Sequence, residues 1–364
     1  MRSSLKIVAG MAAAGLALAG CGSKPTDNAA GGSSGSATAG GAKVKACIVL
    51  DTGGVDDKSF NQSAWQGMQD AAKKDPALEV SYLQSQGTSD YEPNLTNSVK
   101  NGCKAIVSVG FNLADATKKV ATANPTVPFA IVDFGSNAPN VYGMKFQTAQ
   151  SGFQAGYLAA GITKTGKVGT FGGTLLPQAV TDYMDGYLDG VKYYNQQKGK
   201  TVQVLGWNGK TGTAVSPDPT KGFNDKGTGR SITQQMFRAG ADVIFPVAGS
   251  SGEGALTEAE AQGGKLTIFW VDFPGCTFYA QDCPYIATSV LKGIPDRIAA
   301  FLEGVKSGKP LTGTFDGTLA NGGTSIDKFN QFDSKIPADL KSELDAIKQK
   351  IISGEIKPAT PGAG

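Results

Sequence analysis

The fold is indicated most clearly by residues 46–72, ACIVLDTGGVDDKSFNQSAWQGMQDAA. This segment begins with a short apolar run, Ala46–Leu50, which is typical of a buried strand. Asp51 and a pair of glycines follow, and they are typical of a turn. The segment ends with Ala64–Ala72, an amphipathic stretch that places small and apolar residues on one helical face. A strand, a turn and a helix in this order predict a parallel sheet covered by helices.

The same alternation continues along the rest of the chain, with amphipathic stretches such as Tyr183–Tyr194 between apolar runs. The nine expected strands are Ala46–Leu50, Val80–Leu83, Ala105–Val109, Phe129–Val132, Val168–Phe171, Val202–Leu205, Val243–Phe245, Ile268–Val271 and Ile286–Ser289. Nine strands over about 250 residues divide best into two doubly wound α/β domains rather than one sheet. The long gap from Trp207 to Gly229 breaks the regular repeat that a β/α barrel would need.

The composition excludes several classes of function. The chain of 364 residues has 34 Lys and Arg against 31 Asp and Glu, and a net charge of +3 does not indicate a nucleic-acid partner. Histidine is absent, which excludes Ser-His-Asp and Cys-His catalysis and His-ligated zinc. The segment Gly161–Lys167 is not a P-loop, because Val168 stands where that motif needs Ser or Thr. We therefore expect a binding protein with no cofactor, no metal and no catalytic residues.

The first 43 residues have the pattern of an export signal and a tether. Two positive residues precede Ile7–Gly20, an apolar stretch that is too short to span a bilayer. It ends in LAGC, which resembles the bacterial lipobox, so we expect residues 1–20 to be cleaved and Cys21 to be acylated. The alternative is an ordinary secretory signal with a chance Cys. Residues 21–43 are expected to form a lipidated flexible tether at the outer face of the cell membrane.

The other four cysteines are Cys47, Cys103, Cys276 and Cys283. An even number in an exported protein favours disulfides, and three pairings are possible. Cys47 begins one expected strand and Cys103 precedes another, so a bridge between them is natural if those strands are parallel neighbours. Cys276 and Cys283 would then close a short loop. The alternatives are four free thiols or a metal site, and the absence of a C-x-x-C pair disfavours the metal site.

Glycine or aspartate follows several expected strands on the carboxyl side. Examples are Asp51, Gly110, Asp133, Gly172, Gly249 and Asp272. In open parallel sheets, ligands bind outside the carboxyl ends of the strands, where glycine lets the backbone approach and carboxylates supply acceptors. The alternative is that each residue only forms a turn or caps a helix. Their distribution over both halves of the chain predicts a shared cleft.

A family resemblance adds to this interpretation. The segment Asp51–Gln62, with Trp65 and Gly67 after it, closely resembles the signature of the basic membrane protein (BMP) lipoproteins, which include the spirochaete purine nucleoside receptor. Other matching stretches are Phe153–Ala160, Gly240–Phe245 with Ala248-Gly249, Val271-Asp272 and Thr288–Lys292. The resemblance implies a type I periplasmic-binding-protein fold and the role of substrate receptor of an ABC transporter.

The resemblance also implies how the chain is divided and what it binds. Its lobes would be residues 44–147 with about 275–308, and residues 148–274 with about 309–364, joined by hinge crossovers. The implied ligand is a purine nucleoside such as adenosine, guanosine or inosine, held in the cleft between the lobes. The implied partners are ABC permease subunits, and the receptor itself is expected to be a monomer.

The residues that match the family's ligand site come from both lobes. Phe60 and Phe223 match two rings that stack on the base, and Asp133 matches the carboxylate that reads the base edge. Asp272 and Lys292 match the pair assigned to the ribose hydroxyls. The remaining contact positions are Asp51, Thr52, Gln66 and Gly249.

Simpler roles exist for several of these residues. Phe60 could be a hydrophobic staple at a helix start, Asp272 a helix cap, and Lys292 a solvated partner. Trp270 and the Cys276–Cys283 loop depart from the family pattern on the ribose side. The alternatives for the whole chain are a receptor for a sugar or other polar solute, a surface adhesion lipoprotein, and a nucleosidase.

Overall fold

The structure is a computed structural model that describes residues 43–176 and 178–358. Within these ranges twelve strands form two six-stranded sheets. The strands are β1 (Val44–Leu50), β2 (Leu78–Gln84), β3 (Ala105–Val109), β4 (Phe129–Val132), β5 (Val141–Phe146), β6 (Lys167–Gly172), β7 (Gln203–Leu205), β8 (Val243–Val247), β9 (Thr267–Asp272), β10 (Ile286–Lys292), β11 (Gly313–Gly317) and β12 (Thr324–Ile326). All nine expected strands are among them.

The two sheets are built alike. The first has the order β11-β5-β4-β3-β1-β2, and its paired strands are parallel. The second has the order β12-β10-β9-β8-β6-β7, and only β12 runs antiparallel to its neighbour. Side chains of β1 alternate between two cores, with Ile48 on one face of the sheet and Val49 on the other. Burial on both faces explains why the central strands are continuous apolar runs. The predicted fold of two doubly wound parallel sheets is confirmed.

Helices cover both sheets. They are α1 (Phe60–Lys74), α2 (Tyr91–Lys100), α3 (Ala114–Ala123), α4 (Thr148–Ile162), α5 (Gln178–Lys198), α6 (Lys226–Arg238), α7 (Glu253–Ala261), α8 (Gly275–Phe278), α9 (Ile294–Lys306) and α10 (Ala338–Ile352). Helices α4 and α5 pack closely, with Gly156 facing the backbone of Tyr187 and Gly190 facing the backbone of Phe153. A Cβ atom at either glycine would overlap that backbone, so these glycines permit the close approach.

Three crossovers connect the first lobe, built on the sheet of β1, with the second lobe, built on the sheet of β6. The chain passes from β5 to α4, returns from β10 to α9, and crosses again between β11 and β12. The crossovers lie side by side, because the backbone N–H of Gln147 bonds to the carbonyl of Gly317 at 2.7 Å and that of Gly293 to Gly323 at 2.9 Å.

This topology corrects the expected lobe boundaries. The sequence places residues from about 275 to 308 in the first lobe, but β10 pairs with β9 in the second sheet. Only α9 of that range packs on the first lobe, against α1. Conversely, β11 is expected in the second lobe but pairs with β5 in the first. Which strand lies beside which is a long-range property, and the order of apolar runs does not contain it.

Both predicted disulfides are present. Cys47 is bonded to Cys103 with a Cα–Cα distance of 5.9 Å, and Cys276 to Cys283 with 4.9 Å. The first bridge follows from the expected adjacency, since β1 and β3 are parallel neighbours. Cys21 and the predicted signal and tether lie outside the described residues. Among the residues that are described, no helix is long and apolar enough to cross a membrane.

Candidate functional site

A cavity lies between the lobes, at the carboxyl ends of strands from both sheets. It contains about 500 Å³ of atom-free space, the mouth included. The first lobe contributes Asp51, Gly53, Asp57, Phe60, Asn61, Phe111 and Asp133, and the second contributes Ala179, Val180, Tyr183, Phe223, Val247, Gly249, Asp272 and Lys292. The strand ends rich in Gly and Asp therefore meet at a shared cleft, as their positions in the sequence indicate.

Seven of the nine predicted ligand-binding residues line this cavity. They are Asp51, Phe60, Asp133, Phe223, Gly249, Asp272 and Lys292. Thr52 instead donates its hydroxyl to the carbonyl of Thr220 at 2.9 Å. Gln66 donates its amide to Asp70, one turn further along α1, at 2.8 Å. Six residues of helix turn Gln66 about 120° away from Phe60, so the two side chains do not share a face. The structure therefore does not bring Thr52 and Gln66 into the cavity wall, and their contact with a ligand stays a prediction.

One buried ammonium joins the two lobes. The Nζ of Lys292, at the end of β10, donates a hydrogen bond to Asp133 Oδ2 at 2.6 Å and lies 3.6 Å from Asp272 Oδ1. Burial lowers the pKa of Lys292, but the two carboxylates outweigh that effect and the pKa is raised. Burial raises the pKa of Asp133, although Lys292 acts in the opposite direction. The lysine therefore stays charged and holds one carboxylate from each lobe.

Further contacts fix Asp272. It accepts a hydrogen bond from the hydroxyl of Tyr183, on α5, at 2.7 Å, and one from Ser59, at the start of α1, at 3.3 Å. Asp133 and Asp272 both have left-handed backbone conformations, with φ of 62° and 65°. Such conformations are uncommon for residues other than glycine and cluster at functional sites. The two strand ends thus present their carboxylates in a preset orientation.

A second polar cluster surrounds the start of α1. Asp57 accepts from the backbone N–H groups of Ser59, Asn61 and Gln62 at 2.9–3.0 Å, so it caps this helix. The side-chain amide of Asn61 donates to Asp51 at 2.7 Å and to Asp57 at 3.1 Å. Burial raises the pKa of Asp57 to about 7, against the lowering effect of its backbone hydrogen bonds, and it also raises the pKa of Asp51.

Several residues of the cavity wall were not predicted. Asp57 and Asn61 line the cavity and lie within the matched signature. Their polar side chains close to Phe60 in the sequence are the feature from which they could have been predicted. Phe111 directly follows Gly110 at the end of β3, so its position at a strand end could have been predicted from the sequence. Tyr183 lies on the buried face of α5, where the sequence does not distinguish a cavity residue from a core residue.

The rim of the cavity is bridged by a loop of the second lobe, residues 216–224, which we call the rim loop. Asn224 donates its side-chain amide to the carbonyl of Thr52 at 3.1 Å, and Asn112 donates to the carbonyl of Pro219 at 3.4 Å. Together with the bond from Thr52 to Thr220, these contacts hold the rim loop against the ends of β1 and β3. The lobes are thus joined both inside the cavity and along its rim.

The chain matches known proteins over most of its length. Residues 44–359 match the family described as Bmp, ABC transporter substrate-binding protein PnrA-like. The chain belongs to this family. It is 31% identical over 330 residues to the ABC transporter nucleoside-binding protein BmpA of Lactococcus lactis subsp. cremoris. The matched region covers 86% of this chain and 88% of that protein.

Other relatives agree with membership of the Bmp family. Basic membrane protein A of Borreliella afzelii is 31% identical over 320 residues, which cover 86% of this chain and 90% of that protein. The crystal structure of an ABC transporter system solute-binding protein from Aeropyrum pernix K1 has a TM-score of 0.76 and 26% identity, and covers 88% of this chain and 94% of that one.

Family membership establishes the class of function. The predictions of a BMP-family substrate-binding protein, and of a binding protein rather than an enzyme, are confirmed. Proteins of the Bmp family work outside the cytoplasm as receptors of ABC transporters. The chain therefore binds a solute and works together with the permease subunits of an ABC transporter.

Proposed function

We propose that this Bmp-family protein binds purine nucleosides in the cavity between its lobes and delivers them to an ABC permease. The observation that carries the proposal is the pairing of aromatic rings with buried polar groups in one cavity. Phe60 from the first lobe and Phe223 from the second line it together with Asp133, Asp272 and Lys292. A nucleoside has the matching combination of a flat base and a hydroxylated sugar.

Phe60 and Phe223 line the cavity from opposite lobes, which is the arrangement that stacking on both faces of a base requires. The ring of Phe223 packs against Gly173, where a Cβ atom would overlap the ring. The backbone carbonyl of Phe223 accepts a hydrogen bond from the hydroxyl of Ser250 at 2.9 Å. Phe60 starts α1, and the ammonium of Lys292 lies 5.1 Å from its ring centroid. Stacking on an aromatic side chain is worth roughly 1–3 kcal/mol per base. Two such rings therefore supply a large part of the binding free energy.

The polar groups favour a neutral ligand that is rich in hydrogen-bond donors. Four carboxylates, those of Asp51, Asp57, Asp133 and Asp272, line the cavity with the ammonium of Lys292. Carboxylates accept hydrogen bonds from hydroxyl and N–H groups, and they repel anionic ligands. Following the family resemblance, we assign the base edge to Asp133 and the ribose hydroxyls to Asp272 and Lys292. The Lactococcus lactis relative is named a nucleoside-binding protein, which supports this ligand class.

We also propose that the receptor is held at the outer face of the cell membrane by acylation of Cys21. The lipobox-like ending of residues 18–21 supports the anchor. Residues 22–43 separate this cysteine from β1 in the sequence and contain no aromatic or β-branched aliphatic residue. Mass spectrometry of the membrane fraction, compared with a Cys21→Ser variant, tests the anchor, and an unmodified wild-type Cys21 would refute it.

Thermal unfolding with and without ligand tests the nucleoside assignment. A ligand that binds only the folded state adds about 4 kcal/mol of stability at a thousandfold excess over its Kd. Adenosine, guanosine or inosine should therefore raise the melting temperature clearly, whereas ribose should have little effect because it leaves both rings without a base. An equal shift with ribose would instead identify a sugar receptor.

The ring contribution is tested by Phe60→Ala. This variant should lose roughly 1–3 kcal/mol of binding free energy for every purine nucleoside, measured by calorimetry. The matched control is Phe134→Ala, because Phe134 is 39% exposed and does not line the cavity. Unchanged nucleoside affinity in Phe60→Ala would refute the stacking arrangement.

A further inference from the structure

The side-chain amide of Asn61 has a fixed orientation. Its Nδ2 donates to Asp51 Oδ1 at 2.7 Å and to Asp57 Oδ2 at 3.1 Å. The same two oxygens already accept backbone hydrogen bonds, Asp51 Oδ1 from the N–H of Gly53 and Asp57 Oδ2 from the N–H of Asn61, both at 2.9 Å. Rotating the amide by 180° would place its carbonyl oxygen against these acceptors. The two aspartates therefore determine which atom of the amide is the nitrogen.

In this orientation the Nδ2 of Asn61 bonds to the two aspartates, and its Oδ1 is the polar atom of this side chain that is left for a ligand. Asn61 belongs to the cavity wall. Asn61 is 1% exposed, and none of the described residues donates a hydrogen bond to this oxygen. A buried acceptor without a donor is unfavourable, so a ligand that supplies an N–H or O–H group gains the whole of that unmet interaction. A ligand of the same shape without the donor does not.

We propose that Asn61 is a specificity-determining residue, whose Oδ1 accepts a hydrogen bond from an N–H donor on the six-membered ring of the purine. The inference rests on the proposed function. The 6-amino group of adenosine and the N1–H of inosine or guanosine are the donors of this kind. The base, rather than the sugar, is indicated because Asn61 follows Phe60 directly, and the ring of Phe60 lines the same cavity.

The position of the charged donor agrees with this assignment. Lys292, the ammonium of the cavity wall, bonds to Asp133 and lies beside Asp272, whereas Asn61 bonds to Asp51 and Asp57. The cluster around Asn61 thus offers acceptors to a ligand, and the cluster around Lys292 offers both a donor and acceptors. A base-edge N–H matches an acceptor such as Asn61 or Asp133, and the ribose hydroxyls, which both donate and accept, match Asp272 with Lys292.

The test compares adenosine with purine riboside, which lacks both the 6-amino group and the N1–H. Wild-type protein should bind adenosine roughly 10-fold to 100-fold more tightly than purine riboside. In Asn61→Ala this ratio should fall at least about fivefold, any remaining preference being due to Asp133, while the preference for adenosine over 2′-deoxyadenosine should stay as in wild type. Ser63→Ala is the matched control, because Ser63 is also a buried polar residue of α1 with an unpartnered hydroxyl but does not line the cavity.

A second variant disturbs the position of the Asn61 amide without removing it. A Cβ atom on Gly53 would lie 2.6 Å from the Nδ2 of Asn61, so Gly53→Ala should displace the amide and lower the same ratio. Gly87→Ala is its control, since the nearest atom to that Cβ is 3.8 Å away. Two results would overturn the inference: an unchanged ratio in both Asn61→Ala and Gly53→Ala, or a loss of selectivity for the 2′-hydroxyl instead. If wild-type protein binds no purine nucleoside, the proposed function itself fails, and the wild-type measurement alone reveals this.

Discussion

Lys292 in the second lobe donates a hydrogen bond to Asp133 in the first lobe at 2.6 Å, and both side chains are more than nine-tenths buried. Taking one partner away would leave the other charge buried without compensation. The pair therefore contributes to the contact between the lobes as well as to the lining of the cavity.

Replacing this lysine should be costly. Lys292→Met should lower the free energy of unfolding by about 3–5 kcal/mol, because Asp133 and Asp272 lose their shared cation. Denaturant titration at neutral pH measures the effect. Lys119→Met is the matched control, since Lys119 forms a surface pair with Glu92 and should cost at most about 1 kcal/mol. A loss in Lys292→Met no larger than in the control would contradict a stabilising role for the buried pair.

The buried carboxylate of Asp182, on α5 outside the cavity wall, should give the protein a distinctive pH dependence. Burial raises its pKa to about 7, so the folded state holds a proton that the unfolded chain has already released above pH 4. Its contribution to stability is therefore favourable in acid and is lost as the pH rises towards about 7. Asp182→Asn should remove this loss and stabilise the protein by roughly 1–3 kcal/mol at pH 8, with a much smaller gain at pH 5.

Denaturant titrations at the two pH values check this prediction. Asp115→Asn, at an exposed position of α3, serves as the control and should change stability little at either pH. A gain in Asp182→Asn of the same size at pH 5 and pH 8 would show that the effect does not come from the titration of Asp182.

The rim loop should slow the release of ligand. Asn224→Ala removes the hydrogen bond from the second lobe to the carbonyl of Thr52. A single hydrogen bond of this kind is worth about 0.5–1.5 kcal/mol, so nucleoside dissociation should become roughly 2-fold to 12-fold faster. Stopped-flow displacement measures the rate. Asn208→Ala is the control, because Asn208 bonds only locally, to Thr211 and its neighbours. Equal dissociation rates in both variants would show that the bond from Asn224 to Thr52 does not slow the release of ligand.

The sequence predicts the parts of this molecule that depend on local pattern. The nine apolar runs correspond to nine strands. Seven of these strands are buried and therefore need a continuous apolar run, whereas β2 and β7 are more exposed edge strands with short apolar runs. Three strands were not predicted. Lys145 and Gly143 interrupt the apolar pattern of β5, β12 has only three residues, and β11 is largely exposed at the edge of its sheet. None of these segments differs locally from a loop.

The candidate site divides in the same way. Asp51, Asp133 and Asp272 were found because they follow buried strands, and the carboxyl ends of parallel strands meet at one edge. Thr52 and Gln66 lie outside the cavity wall because their partners, Thr220 and Asp70, depend on lobe contacts and helix phase. The association of Lys292 with both aspartates depends on how two lobes meet, which no local pattern records.

The three crossovers also determine the order in which the protein can mature. The first sheet is completed by β11, at residues 313–317, which the ribosome makes after every strand of the second sheet except β12. The amino-terminal lobe therefore cannot finish folding first, as an ordinary leading domain would during synthesis. An exported chain of this design has to stay unfinished until it is nearly full length, and no single cut in the gene would release either lobe intact.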